Sequence, residues 1–390
     1  MNGIAIIGGG IGGLVTALCF EKLGIPFKVY ERAVALKHVG AGIWLSPNAL
    51  QVIEWIDPKL LKEIEGAGNY FDRIMVANHQ LIPLSDSDQA FVKHKFGYTT
   101  IAIHRGVLQR IIYSYLPKEK IILGKEFKKY EKTSDTSYRI EFEDGTSVET
   151  NTIIGADGVN SKVRGQLFPN SSIRYSGQTC WRGVADYKLD PKFASVGFTL
   201  WGKKLQFGVS KLNEEQTYWF AVKLSEPNQE DEREKLKVAL NEMFSAFHPV
   251  VNELIQHTRV SNIIRGDLSD LELLDKWHVE NICLIGDAAH SMTPDLGQGG
   301  AQAIEDAYYL SNFINSSKCI EDAFHRFHSS RKTKVEKLVK QSRFASKIAI
   351  TNRPVEILRN FVLRNTPERF MQSQMIELYT IDKSVAALVG

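Results

Sequence analysis

Between a short apolar run, Ile4 to Ile7, and a helical pattern from Ile11 to Leu23, the chain places Gly8-Gly9-Gly10-Ile11-Gly12-Gly13. Few folds use such a passage. Four consecutive apolar residues suit a strand buried on both faces of a parallel sheet. Gly24 and Pro26 end the helix, and Phe27 to Tyr30 gives a second strand. The unit is βαβ, with the right-handed crossover that parallel strands impose. Gly8, Gly10 and Gly13 fit GxGxxG, with Gly12 beside them. The first permits a tight turn, the second lets the backbone approach a pyrophosphate, and the third lets helix and strand pack closely. Unpaired N–H groups at the helix start offer partial positive charge to phosphate. Glu31, ending the second strand 18 residues beyond Gly13, is placed to accept hydrogen bonds from ribose hydroxyls. The motif predicts a dinucleotide and does not separate FAD from NAD.

Gly3 to Phe20 has no charged residue, which a signal peptide or membrane span would share. Its six glycines, and the lack of a basic segment before it, favour strand, turn and helix instead. A cytoplasmic location is expected. The 390 residues favour two interlocked domains. Basic and acidic residues number 48 and 45, and a net charge of +3 does not point to nucleic acid or a membrane surface. Cys19, Cys180, Cys283 and Cys319 form no close pair and read as reduced core residues. His290, His325 and His328 lack an accompanying ligand cluster, so no metal is expected.

Further along, signals weaken over 70–100, with turns at Pro83 and at Ser85–Asp88. Val107 to Leu116 reads as a helix, and Asp144-Gly145 as a hairpin turn between Tyr138–Phe142 and Ser147–Glu149. Gly197–Trp201, Leu205–Val209 and Tyr218–Leu224 form an aromatic-rich sheet inserted between α/β pieces. Asp231–Phe247 and Gly300–Ile314 are predicted helical. From Arg331 the chain is helical and basic, read as a solvated helix face packed on the body.

Two further blocks add chemistry. Ile153-Ile154-Gly155-Ala156-Asp157-Gly158 leaves a buried strand and is followed by Ser161 and Arg164. Leu284-Ile285-Gly286-Asp287-Ala288-Ala289-His290 leads into Thr293-Pro294-Asp295-Leu296-Gly297-Gln298-Gly299-Gly300. With the first motif, in this order, they resemble the FAD-dependent aromatic hydroxylases of the para-hydroxybenzoate hydroxylase type over roughly residues 1–345. Within that family, Tyr175–Asp186 and Thr293–Ala307 look most like the urate/salicylate hydroxylase and zeaxanthin epoxidase branch.

The resemblance implies an α/β fold: a Rossmann-like FAD-binding domain (1–72, 100–172, 276–345), an inserted mixed β-sheet substrate domain (73–99, 173–275) and C-terminal helices (346–390). It implies non-covalent FAD, with Asp287 accepting a ribityl hydroxyl and Arg105 contacting the cofactor. Asp157 carries the family's Asp-Gly motif; Arg32 and Gly42 match positions along the flavin; Pro294 roofs the reaction cavity. Gly297, Gly299 and Gly300 let the chain pass a flat ring closely, and a helix from about Gly300 aims its dipole at the flavin. NAD(P)H is the expected transient reductant, since only one GxGxxG occurs. A C4a-hydroperoxyflavin would hydroxylate an aromatic or other electron-rich small molecule, O2 being the co-substrate. An epoxidase, a tetracycline-inactivating enzyme and a non-catalytic redox module are the alternatives. Gln206 and Tyr218 are candidate substrate-facing residues, with Trp201, Phe207 and Trp219 as neighbours of which alternation selects some. Urate-type relatives pair an arginine with the tyrosine; here Lys204 stands in its place, a departure from urate. No catalytic base is identified, and monomer and homodimer stay open.

Overall fold

The computed structural model describes residues 3–36 and 40–387. A six-stranded sheet forms the base, in the order His278–Val279, Ile282–Leu284, Thr152–Gly155, Ile4–Ile7, Phe27–Glu31 and Ile121–Leu123. All its pairings are parallel except that of the short edge strand His278–Val279. Ile6 sits between Ile154 and Val29 and is completely buried. Continuous burial across Ile4–Ile7 explains why the strand is apolar throughout and does not alternate. The uncharged N-terminal run is therefore strand, turn and helix, the helix spanning Ile11–Leu23. Gly24 closes it in the left-handed conformation, φ 68°.

The helix Gly299–Ser316 covers this sheet, with every residue from Ala301 to Phe313 buried. It packs against Ile11–Leu23, and a Cβ on Gly12 would come within 3.2 Å of the Ala303 Cβ. Gly12 thus sets the approach of these two helices.

A seven-stranded sheet lies in the order Ile264–Leu271, Ile173–Asp186, Gln216–Leu224, Leu205–Lys211, Val196–Gly202, Arg73–Asn78 and Pro83–Asp88. Only Val196–Gly202 with Arg73–Asn78 is parallel. The segment read as isolated turns around Pro83 and Ser85–Asp88 is therefore an edge strand. Proline is tolerated as the first residue of such a strand, and its polar alternation suits an edge. Arg73 and Asp86 pair across it.

The Asp144-Gly145 hairpin forms as expected, with Gly145 at φ 80°. The helix expected over Asp231–Phe247 is shorter, Leu236–Met243, because the charge-rich stretch before it has no apolar face to bury. Three cysteines are buried free thiols, while Cys319 is exposed. The chain ends in the helices Ile320–Ala349, Arg353–Asn365 and Glu368–Tyr379, and a last short turn of helix, Ser384–Ala387. No described helix is long and apolar enough to cross a membrane.

Candidate functional site

The glycine turn does what its spacing demands. Gly8 has φ 109°, and a Cβ there would lie 2.4 Å from the Ala156 carbonyl oxygen. A Cβ on Gly13 would lie 2.0 Å from the Gly8 oxygen. Only glycine fits either position. Gly10 faces open space, with nothing within 4 Å of an added Cβ. The turn and the helix N-terminus behind it are thus accessible to an anion.

Glu31 closes the turn from the next strand. Its Oε2 accepts from the Gly9 N–H at 2.6 Å and its Oε1 from the Ala33 N–H at 2.8 Å. Each oxygen retains lone-pair capacity for a hydroxyl. Gln109 donates to the Gly9 carbonyl at 2.7 Å, a support the sequence did not flag. Arg32 is exposed, and its charge is felt by Glu126 in the loop after the strand Ile121–Leu123.

Asp287 opens the short helix Asp287–His290 and caps nothing with its side chain, so a helix-cap role fails. Asp287 is exposed although Gly286 and Ala288 to His290 around it are buried, so it opens into a cleft. Desolvation there pushes its pKa up, opposed by His290 and Arg105. Arg105, exposed at the start of the helix Arg105–Ser114, is held by its N–H to the Ala41 carbonyl at 3.0 Å. Cation and carboxylate thus face the same cleft. Asp157 behaves differently. Its oxygens accept from the Ser161 hydroxyl at 2.5 Å and the Val163 N–H at 3.2 Å, which organises its own loop. Burial nevertheless pushes its pKa up.

The second glycine passage runs along the same cleft. Gly297 has φ 63°, and its Cβ would sit 3.7 Å from the Trp44 ring. A Cβ on Gly299 would sit 3.8 Å from the Asp287 Oδ1, and one on Gly300 would strike Ile43 at 2.8 Å. The helix begins at Gly299, one residue earlier than expected. Pro294 is exposed and opens the turn Pro294–Leu296.

Across from this passage lies one face of the seven-stranded sheet. Strand pairing sets Trp201 beside Gln206, Gln206 beside Val222, and Val222 beside Cys180. Period-two alternation then brings Arg182, Tyr218 and Phe220 to that same face. Phe207 and Trp219 point the other way. They stack at 5.4 Å within a separate apolar core, where the Trp219 ring N–H donates to Thr258 at 2.8 Å. Those two aromatics are packing residues. Tyr218 lies against Gly42, where any Cβ would meet its ring at 2.4 Å. Gly42 is therefore glycine because its strand, Gly42–Leu45 of a small three-stranded sheet, meets the seven-stranded sheet there. Trp44 reinforces the junction by donating to the Ser210 hydroxyl at 3.2 Å.

Two residues that sequence reading missed complete the face. Lys204 does not supply the arginine's charge, because it lies exposed on a hairpin turn with φ 58°. The guanidinium comes from Arg182, hydrogen-bonded to Tyr218. Sheet register brings Arg182 there, and a distant strand pairing has no local sequence signal. Asp295 is the other. Its Oδ2 is buried without a hydrogen-bond partner. Desolvation pushes its pKa up to about 6 although Thr293 and Ser346 work against this. Its charge is felt at Cys180 on the sheet face.

Behind the glycine passage, His290 is buried against a carboxylate and is not a surface histidine. Its Nε2 lies 2.6 Å from the Asp306 Oδ2, which also accepts from the Gly286 N–H at 2.9 Å. Arg331 bonds Asp306 at 2.9 Å and pairs with Glu305, and Lys334 reaches Glu305 at 2.8 Å. The basic tail read as solvated therefore begins with an arginine only 1% exposed. Among the described residues no group of three or more His, Cys, Asp or Glu could hold a metal.

Comparison with known proteins agrees with this geometry. Residues 120–342 match the family model described as FAD binding domain. The chain is 33% identical to aurachin C monooxygenase/isomerase of Stigmatella aurantiaca over 328 residues, 84% of each protein. It is 29% identical to 2-heptyl-3-hydroxy-4(1H)-quinolone synthase of Pseudomonas aeruginosa, over 97% of each. Among solved structures, HpxO of Klebsiella pneumoniae complexed with FAD and uric acid superposes with a TM-score of 0.88, at 25% identity and covering 96% of each chain.

Proposed function

Because the chain belongs to the FAD-dependent aromatic hydroxylases and is a flavoprotein monooxygenase, we propose that it uses NAD(P)H and O2 to hydroxylate an electron-rich aromatic heterocycle. The observation that carries this reading is a group of charged and hydrogen-bonding side chains on the aromatic-rich face of the seven-stranded sheet. Arg182 and Tyr218 lie together there, and the charge of Asp295 reaches the same face at Cys180.

The residues fit the cofactor. Gly10 is open toward a pyrophosphate, and the helix start supplies N–H donors. Glu31 would take ribose hydroxyls and Asp287 a ribityl hydroxyl, while Arg105 would hold cofactor oxygens. Gly297, Gly299 and Gly300 leave room for a flat ring beside Trp44 and Ile43. Bound FAD supplies reduction by a nicotinamide and activation of O2 for transfer to the substrate.

The chain's own task is to orient a ring and keep water out. Burial holds the Tyr218 hydroxyl protonated, so it donates, with Arg182 fixing its direction. Asp295, with a pKa of about 6, either accepts a ring N–H or shares its proton with a ring oxygen. Trp201, Phe220 and Gln206 would form the wall. The helix Gly299–Ser316 points its N-terminus into the cleft and favours negative charge there. A 4-quinolone is the first substrate to try, supported by the relative that matches nearly the whole chain. The domain division at 73–99 and 173–275 is supported by both stretches joining the seven-stranded sheet.

The test is NAD(P)H consumption by the FAD-loaded enzyme with 4-quinolones, phenols and purines. Stimulation by a quinolone, with a product one oxygen atom heavier, supports the reading. Stimulation only by purines or phenols would sink the quinolone assignment.

A further inference from the structure

The helix Arg353–Asn365 packs Leu363 on the body and turns most of its other apolar side chains outward. Its inward side carries Arg359, buried, and Asn360, while Val355, Ile357, Leu358, Phe361 and Val362 are all exposed. Ile357, Leu358 and Phe361 each keep more than 60% of their surface accessible. Phe344 and Phe370, on the flanking helices, are exposed as well. A surface helix in a globular protein normally buries this stripe. Contiguous apolar exposure on this scale marks an interaction surface.

Charge indicates the occupant. Residues 340–370 hold seven basic and two acidic side chains, whereas the whole chain holds 48 and 45. The near-neutral total thus conceals a local excess of positive charge. Lys347, Arg353, Arg364 and Arg369 are exposed and form no ion pair with any described residue. An apolar stripe bordered by unpaired cations is the pattern of a helix lying in an anionic lipid interface. A second copy fits less well, because a two-fold contact would bring the same cations together.

We propose that the outer face of Arg353–Asn365, with Phe344 and Phe370, docks the enzyme on an anionic phospholipid surface. The inner side of the helix adjoins the substrate face. The Arg359 guanidinium lies over the Trp201 ring at 4.7 Å and is pinned by the Ile348 and Ala349 carbonyls. Leu363 packs with Trp201, Phe220 and Val222. One helix therefore separates lipid from the reaction chamber. Resting on the function proposed above, this makes the substrate class lipophilic: a ring carrying a hydrocarbon chain drawn from the membrane.

Flotation of the FAD-loaded protein with phosphatidylcholine vesicles, pure or doped with phosphatidylglycerol, decides the matter without requiring turnover. Binding to the doped vesicles, weakened by salt and weak on the pure ones, is expected. Ile357→Asp with Phe361→Asp should cut that binding roughly tenfold or more while FAD content is unchanged. Arg353→Glu with Arg364→Glu and Arg369→Glu should do the same, and this variant decides alone if the first loses FAD. Absence of wild-type binding, or variants that bind as wild type, overturns the proposal. So does a dimer that the aspartate pair dissociates, with no vesicle binding. Failure of quinolone turnover would leave the docking result standing.

Discussion

Asp287 carries more of the cofactor reading than any other single side chain, because it caps no helix and opens onto the cleft. Asp287→Ala should weaken FAD binding by about 1.5–3 kcal/mol, roughly tenfold or more, with the apo-protein still folded. Fluorescence titration of apo-protein with FAD measures this, and an unchanged dissociation constant would contradict the assignment. Asp295 gives a pH signature. Its carboxyl moves from an ordinary 3.8 to about 6 on folding, chiefly through desolvation. A raised carboxyl binds its proton more tightly in the folded state, so stability falls as pH rises through that window. Asp295→Asn should therefore gain stability relative to wild type between about pH 4 and about pH 7, by up to about 3 kcal/mol. Urea unfolding at both pH values measures it, and a pH-independent difference would refute the desolvated carboxyl. Gly8, Gly10 and Gly13 were legible from spacing because local backbone demands decide them. Arg182 was not legible, because its partner Tyr218 lies 36 residues away on another strand.

At the scale of elements, the helices Gly299–Ser316 and Ile320–Ala349 are joined by buried charge. Burial alone would push the Asp306 carboxyl up, yet His290 and Arg331 draw it down to about 2. Arg331→Met leaves Asp306 and Glu305 without the guanidinium both were built around. The expected cost is about 3–5 kcal/mol, typical of breaking a buried pair from one side, read as a lower urea midpoint. A loss under about 1 kcal/mol would mean that Lys334 and His290 suffice. Periodicity disclosed both helices, and its error over Arg331 has a physical reason. A buried ion pair and a solvated cation look alike in sequence, and only the facing Glu305 and Asp306 distinguish them. The edge strand Pro83–Asp88 was missed for the converse reason, since turn residues also serve sheet edges.

For the molecule as a whole, the interleaving of a parallel α/β base with an inserted sheet was readable from motif order, since each strand exit keeps its own signature. The direction each aromatic faces was not readable, as Phe207 and Trp219 demonstrate. The proposed activity requires the two parts together to deliver one oxygen atom from O2 to a ring held by Arg182 and Tyr218 with Asp295 at the same face. Turnover under 18O2 with NAD(P)H and a quinolone that stimulates consumption tests it most directly. A product carrying one 18O, and none when the label is supplied as water, is the predicted result. A product labelled from water, or NAD(P)H oxidised with all of the O2 consumed reduced to hydrogen peroxide for every substrate tried, would contradict it.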